Sequence, residues 1–321
     1  MASESHKTVY IALAANAGIA VAKGVGGALS GSSAMLAEAA HSVADTTNQV
    51  LLLAALRLSE RKPDAQHPFG YGKERFFWSF MAAIFIFVSG ALFSIYEGVE
   101  RMLSGKASEG SVGIAFAVLA VALVLESTSL IRAGRQTKGE ARRQRRPIAR
   151  HIRVSRDPTT KTVVFEDSAA VIGILLAAAG LGLTVVTGSP VFDGGASVCI
   201  GLLLAAVAFA LGRDTKGLLI GEAALPEERE AIERAICGHS GVDELVELMT
   251  MALGPQSLLV AARLDVAPEL DSDAVEALAS DLDRTIRDAV PDVGHVFIDP
   301  THRDERPPRR PRAGAGGRRA G

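Results

Sequence analysis

Four long apolar runs constrain this chain more than any other feature: residues 9–29, 76–96, 112–131 and 171–187. Each matches or approaches the roughly 20 helical residues that cross a bilayer core of about 30 Å. Hydrocarbon offers the backbone no hydrogen-bond partners, so such runs fold as helices. The chain has 321 residues, 48 % of them hydrophobic, with 34 Lys and Arg against 36 Asp and Glu. Because the charges fall mostly in the gaps between the runs, the expected fold class is a membrane, all-α bundle of six transmembrane helices. Their expected ranges are 8–29, 32–58, 76–99, 111–132, 160–187 and 191–211, within a domain over 1–213. A small cytoplasmic α+β domain follows over 214–300, then a disordered basic tail over 301–321.

Charge distribution orients the bundle. The segment 134–157 holds Arg135, Lys138, Arg142, Arg143, Arg145, Arg146, Arg150, Arg153 and Arg156. By the positive-inside rule it lies in the cytoplasm, and alternation puts both termini there too. The N-terminus is short and polar and its apolar run extends past Ile19 with no early cleavage pattern, so it reads as a retained helix. Neither the basic segment nor the Arg-rich tail is interleaved with stacking aromatics, which argues against nucleic acid as a partner and for attraction to anionic lipid. Cys199 and Cys237 are the two cysteines. They imply no disulfide framework and read as small apolar fillers.

Against this apolar background the second helix carries Glu38, His41, Asp45 and Asn48. Spacings of three and four put them on one face. Ionisable groups at membrane depth face the bundle interior or a water-filled cavity, and a metal ion satisfies an imidazole and a carboxylate together. Further polar groups punctuate other helices. Lys23 either reaches a carboxylate on a neighbouring helix or snorkels to the interface. Glu126 is an interfacial carboxylate or a partner of Arg132, and Glu166 and Asp167 enter the fifth helix side by side. At most one of those two acids points inward, since neighbours on a helix stand about 100° apart.

Beyond Gly212 charge becomes frequent. A helix opened by Pro226, strands over 245–252 and 258–266 around Gly254-Pro255, an amphipathic helix over 271–290 and a strand over 295–298 give an α-β-β-α-β order. That order fits a compact two-layer α+β domain. His239 and His295 are isolated, and read as exposed or structural.

The stretch Ala37-Glu38-Ala39-Ala40-His41-Ser42-Val43-Ala44-Asp45 and the loop His67-Pro68-Phe69-Gly70-Tyr71-Gly72-Lys73, in that order, resemble the cation diffusion facilitator family. Residues 216–222, with Glu166-Asp167, resemble its branch related to zinc transporter 9. The resemblance covers about residues 7–300 and implies a homodimer, with a metallochaperone-like domain, that exports divalent cations from the cytoplasm in exchange for protons. His41 and Asp45 match the family's ligands on the second helix. The fifth helix departs from the family's spacing of four: Asp167 pairs with Val163, or Glu166 with Ala170. Asp167 is preferred because it precedes Gly173 by six, as the family's second acid precedes a glycine, with Glu166, Asn48 or water completing the shell. Asp64 and His67 match a second metal position in some relatives, although no third ligand is evident. Lys73 and Glu222 match a charge interlock at the dimer interface.

Zinc suits the mixed imidazole and carboxylate set, with iron(II), cobalt, nickel, manganese and cadmium also compatible. The cation is cargo, and no prosthetic group is implied. No nucleophile–base pair, phosphate loop or nucleotide motif suggests an enzyme. The alternative is a membrane-anchored metal sensor or scaffold that binds the ion without moving it. The Ala- and Arg-rich composition fits a bacterial inner membrane, while the branch also occurs in organelles and no clear transit peptide is visible.

Overall fold

The computed structural model describes residues 2–105, 111–143 and 146–301. The expected basic tail lies outside these residues, apart from its first position. Two compact units divide the chain, one over Met1–Gly221 and the other over Glu222–Gly321.

The first unit is helical. It comprises α1 (Ala2–Ser30), α2 (Ser33–Ser59), a third rod of α3 (Glu74–Phe85), a π-helical stretch (Ile86–Leu92) and α4 (Phe93–Ser104), then α5 (Val112–Arg143), the short α6 (Ile148–Val154), α7 (Pro158–Thr187) and α8 (Val191–Ile220). By length and composition, Glu74–Ser104, Val112–Arg143, Lys161–Thr187 and Val191–Ile220 can cross a membrane. α1 and α2, 29 and 27 residues long, are the remaining long helices described, and α2 is continuous although its polar stripe breaks up its apolar run. Two helices outrun their apolar segments. α5 carries the basic run as far as Arg143, and α8 continues to Ile220, where Gly221 closes it in the left-handed conformation.

Helix α2 is the hub of the bundle, packing on α1, the third rod, α7 and α8. The turn before it needs Gly31 at φ 66°, and the Ser32 hydroxyl caps it by accepting from the Met35 N–H. α4 and α8 meet backbone to backbone, since a side chain at Gly98 would strike the Gly194 carbonyl. Small residues permit such close approach in membranes, where packing rather than hydrophobicity joins helices. The buried centre holds Ala37, Ala91, Ala115, Leu119, Ile174, Ala177, Leu181, Ile200 and Leu204. Val21, Val25, Phe87, Phe93, Val121, Val124 and Phe209 stand exposed around it, an apolar exterior of the kind lipid covers. Cys199 and Cys237 are also exposed, so neither fills a core.

The second unit has the expected order: α9 (Pro226–Cys237), β1 (Val242–Gly254), β2 (Ser257–Val266), α10 (Ser272–Ala289) and β3 (Val293–Thr301). β2 is central, antiparallel to β1 and parallel to β3. Leu258, Val260, Ala262 and Leu264 alternate inward from β2 onto Ile232 and Ile236 of α9 and Leu278, Leu282 and Ile286 of α10. Glu228 accepts from the Leu225 N–H at the start of α9, and Asp271 caps α10 through the Ala274 N–H. The Nε2 of His239 lies 3.1 Å from Asp281 and its Nδ1 accepts from the Gly241 N–H, so it ties the end of α9 to α10.

Candidate metal-cation site

The polar stripe of α2 faces inward. His41 is buried, its Nδ1 3.5 Å from Asp45 Oδ1, one turn further along. Asn48 is fully buried and its amide donates to Glu166 Oε2 of α7 at 2.5 Å. Asp45 and Glu166 are close enough for their charges to interact. Six buried polar atoms at this α2–α7 seam have no hydrogen-bond partner among the described residues: Glu38 Oε1, both ring nitrogens of His41, Asp45 Oδ1, Asn48 Oδ1 and Glu166 Oε1. Burying polar atoms unpaired is costly, by about 1–3 kcal/mol for each group in proteins. An imidazole nitrogen with carboxylate and amide oxygens is a donor set that suits a divalent cation of the zinc kind.

The donors do not yet converge. Among the described residues no three His, Cys, Asp or Glu side chains form a ready metal cluster. Along α2 the donors from His41 to Asn48 span about 10 Å at ~1.5 Å per residue. Glu166 is held at the Asn48 end by its hydrogen bond, away from His41.

The two adjacent acids of α7 part company. Glu166 turns to α2, whereas Asp167, preferred from sequence, turns to α5 and accepts from the Ser129 hydroxyl at 2.8 Å. The preference followed a glycine spacing, but Gly173 serves another purpose. It leaves room for Glu38, whose Oε1 a side chain at that position would strike.

Sequence reasoning left three further polar groups without their partners. Lys23 is fully buried rather than snorkelling, and donates to Glu38 Oε2 at 2.9 Å and Ser42 Oγ at 2.8 Å. Glu126 of α5 is half-buried and near enough to Glu38, Asp45 and Asp167 for charges to interact, which sets it beside the interior group. Asp193 of α8 caps α2, accepting from Ser32 Oγ at 2.5 Å, Ser33 N at 2.6 Å and Ser33 Oγ at 3.0 Å, with Arg101 Nε 3.8 Å away. No local motif announces that pin, because its partners are about 160 residues apart.

In the loop between α2 and α3 both Asp64 oxygens are engaged. Oδ1 accepts from the Gln66 and His67 N–H groups at 2.9 and 2.8 Å, and Oδ2 from the Tyr71 hydroxyl at 2.6 Å. The Tyr71 bond holds the Asp64 carboxyl below its usual 3.8 and pushes the phenol up in turn. The His67 ring packs 4.3 Å from that of Tyr71. Asp64 therefore organises the turn, and no third ligand joins it and His67 among the described residues. Lys73 precedes α3 in the first unit, and Glu222 is exposed at the start of the second.

Residues 9–220 match the cation efflux transmembrane domain, and residues 224–300 the cytoplasmic domain of cation efflux proteins. Metal tolerance protein C4 of Arabidopsis thaliana is 36 % identical over 236 residues, 74 % of this chain and 51 % of that protein. The mitochondrial proton-coupled zinc antiporter SLC30A9 of Homo sapiens is 33 % identical over 260 residues, 81 % of this chain and 45 % of that protein. The zinc transporter ZitB of Escherichia coli is 26 % identical over 269 residues, 84 % and 80 % of the two chains. The chain spans about half the length of the first two relatives. With family models matched along almost all of its described length, the chain belongs to the cation efflux family, the cation diffusion facilitators that its two motifs resemble.

Proposed function

We propose that this protein is a secondary carrier that moves divalent metal cations, zinc foremost, out of the cytoplasm in exchange for protons. The observation that carries the proposal is the set of buried atoms of His41, Asp45, Asn48 and Glu166 at the α2–α7 seam that lack a hydrogen bond. Among the relatives, one is named a proton-coupled zinc antiporter and another a zinc transporter. The cargo ligands are His41, Asp45 and Glu166, with the Asn48 carbonyl in support. Asp167, directed at Ser129, stands outside the set. Cargo binding draws Glu166 away from the Asn48 amide toward Asp45 and closes α7 on α2. Imidazole and carboxylates must shed protons before they coordinate, so metal and protons compete for the same groups. Rocking of the helices then opens the seam to each side in turn.

The carrier is multi-pass, with the basic end of α5 and both termini in the cytoplasm, and works as a homodimer in a bacterial inner membrane. Stopped-flow uptake of zinc, iron(II) and manganese into proteoliposomes holding a pH dye tests the reading. Metal-driven proton movement that disappears in Asp45→Ala is the expected result. Binding without flux in the unaltered protein would replace the carrier with a sensor, and flux that survives Asp45→Ala would remove the site from α2.

A further inference from the structure

One buried cation of the bundle has no role in the cargo site. Lys23 of α1 is fully buried, and its ammonium is bound by Glu38 Oε2 and Ser42 Oγ of α2. Glu38 lies three residues before His41, hence about 4.5 Å along the helix axis at ~1.5 Å per residue, on the same stripe. The ammonium therefore stands immediately beside the cargo ligands, toward the N-terminal end of α2. That end is the outer one, opposite the basic cytoplasmic segment.

Glu38 is only half used. Its Oε1 is buried and partnerless, and it lies against Gly173 of α7, where any side chain would strike it. This oxygen without a hydrogen bond thus lies packed in the seam between the two helices that carry His41, Asp45, Asn48 and Glu166, and a movement of α7 off α2 would uncover it. A buried ion pair is a poor source of stability, since apolar replacements of similar volume are often as stable or more so. Here one partner of the pair keeps an unsatisfied oxygen beside the candidate cargo ligands. The arrangement is that of a carboxylate with a tethered ammonium on one oxygen and no hydrogen bond on the other.

We propose that Glu38 is a second cation-binding position on the outward path, and that Lys23 is a tethered competitor for it that drives release. A divalent cation leaving His41 and Asp45 meets Oε1 of Glu38 as the next oxygen ligand along the stripe. While it sits there, the ammonium is repelled and its bond to Oε2 weakened. Return of the ammonium to Glu38 expels the cargo outward and restores the fully paired state. Only non-covalent contacts change. The inference rests on the carrier reading, and it adds a step after the cargo has left its main ligands.

The test uses the full chain, with equilibrium zinc binding in detergent and zinc flux in proteoliposomes measured on the same preparations. Lys23→Met removes the competitor and leaves Glu38 available, so zinc is expected to bind about 10-fold more tightly while maximal flux falls about 10-fold. Lys23→Met with Glu38→Gln leaves no buried charge at the position. It is expected to bind zinc within about threefold of the unaltered protein, yet still carry it about 10-fold more slowly. A purely structural pair would leave both quantities unmoved in the folded double variant, and that result overturns the proposal. Unchanged or weaker binding in Lys23→Met also overturns it, and should that variant fail to fold, the double variant decides alone. Absence of flux in the unaltered protein would instead count against the carrier itself, which separates the two failures.

Discussion

At the scale of single residues, the informative contrast is between neighbours in sequence that face different helices. Glu166 and Asp167 differ by one position, yet the first meets Asn48 of α2 and the second Ser129 of α5. Glu166→Gln is therefore expected to weaken zinc binding by about 10–100-fold and Asp167→Asn by less than about threefold, as read by calorimetry on purified protein. The reverse order would restore Asp167 to the ligand set. Asp64 shows the same economy in water. Its folded carboxyl titrates below 3.8 because Tyr71 donates to it, so its contribution to the loop is complete above that pH and fades as pH falls through the depressed value. Amide exchange at Gln66 and His67 is expected to accelerate in that acidic window, and Tyr71→Phe to move the window up toward 3.8. No change in the window would mean that the tyrosine does not hold the carboxylate.

At the scale of elements, α2 owes its position to groups outside its own sequence. Asp193 of α8 satisfies the start of α2 through Ser32 and Ser33 and lies against Arg101 of α4. Asp193→Ala removes those acceptors and leaves a largely buried guanidinium short of a counter-charge, at a cost of about 3 kcal/mol. A fall in the thermal midpoint of the detergent-solubilised protein, smaller for Asp193→Asn than for Asp193→Ala, is expected. Equal midpoints for all three proteins would show the pin to be idle. The hydrophobic pattern revealed that these helices exist, because a bilayer demands runs of that length. It did not reveal that α5 and α8 extend well past their apolar parts, since polar helical extensions lie in water and obey no such length rule.

At the scale of the whole molecule, the two units have separate cores, one of small apolar residues between helices and one of branched side chains between a sheet and two helices. Lys73 in one and Glu222 in the other remain our candidates for a charge interlock in the dimer. Reversing Glu222 alone is expected to weaken self-association, and reversing both to recover it, as measured by sedimentation of the detergent-solubilised protein. A double reversal that recovers nothing would remove the pairing. The sequence alone determined the helical class and the α-β-β-α-β order of the second unit, and it singled out the polar residues of α2 and α7 as candidates, because hydrophobic period, turn residues and spacing are local properties. It also determined that His41 and Asp45 share a face. Only the tertiary structure decided which of Glu166 and Asp167 faces α2, that Lys23 is sealed against Glu38, and that Asp193 caps a helix about 160 residues away. The physical reason is that a helix fixes the angles among its own side chains, while its rotation against its neighbours is set by packing, to which close contacts such as those at Gly98, Gly173 and Gly194 contribute.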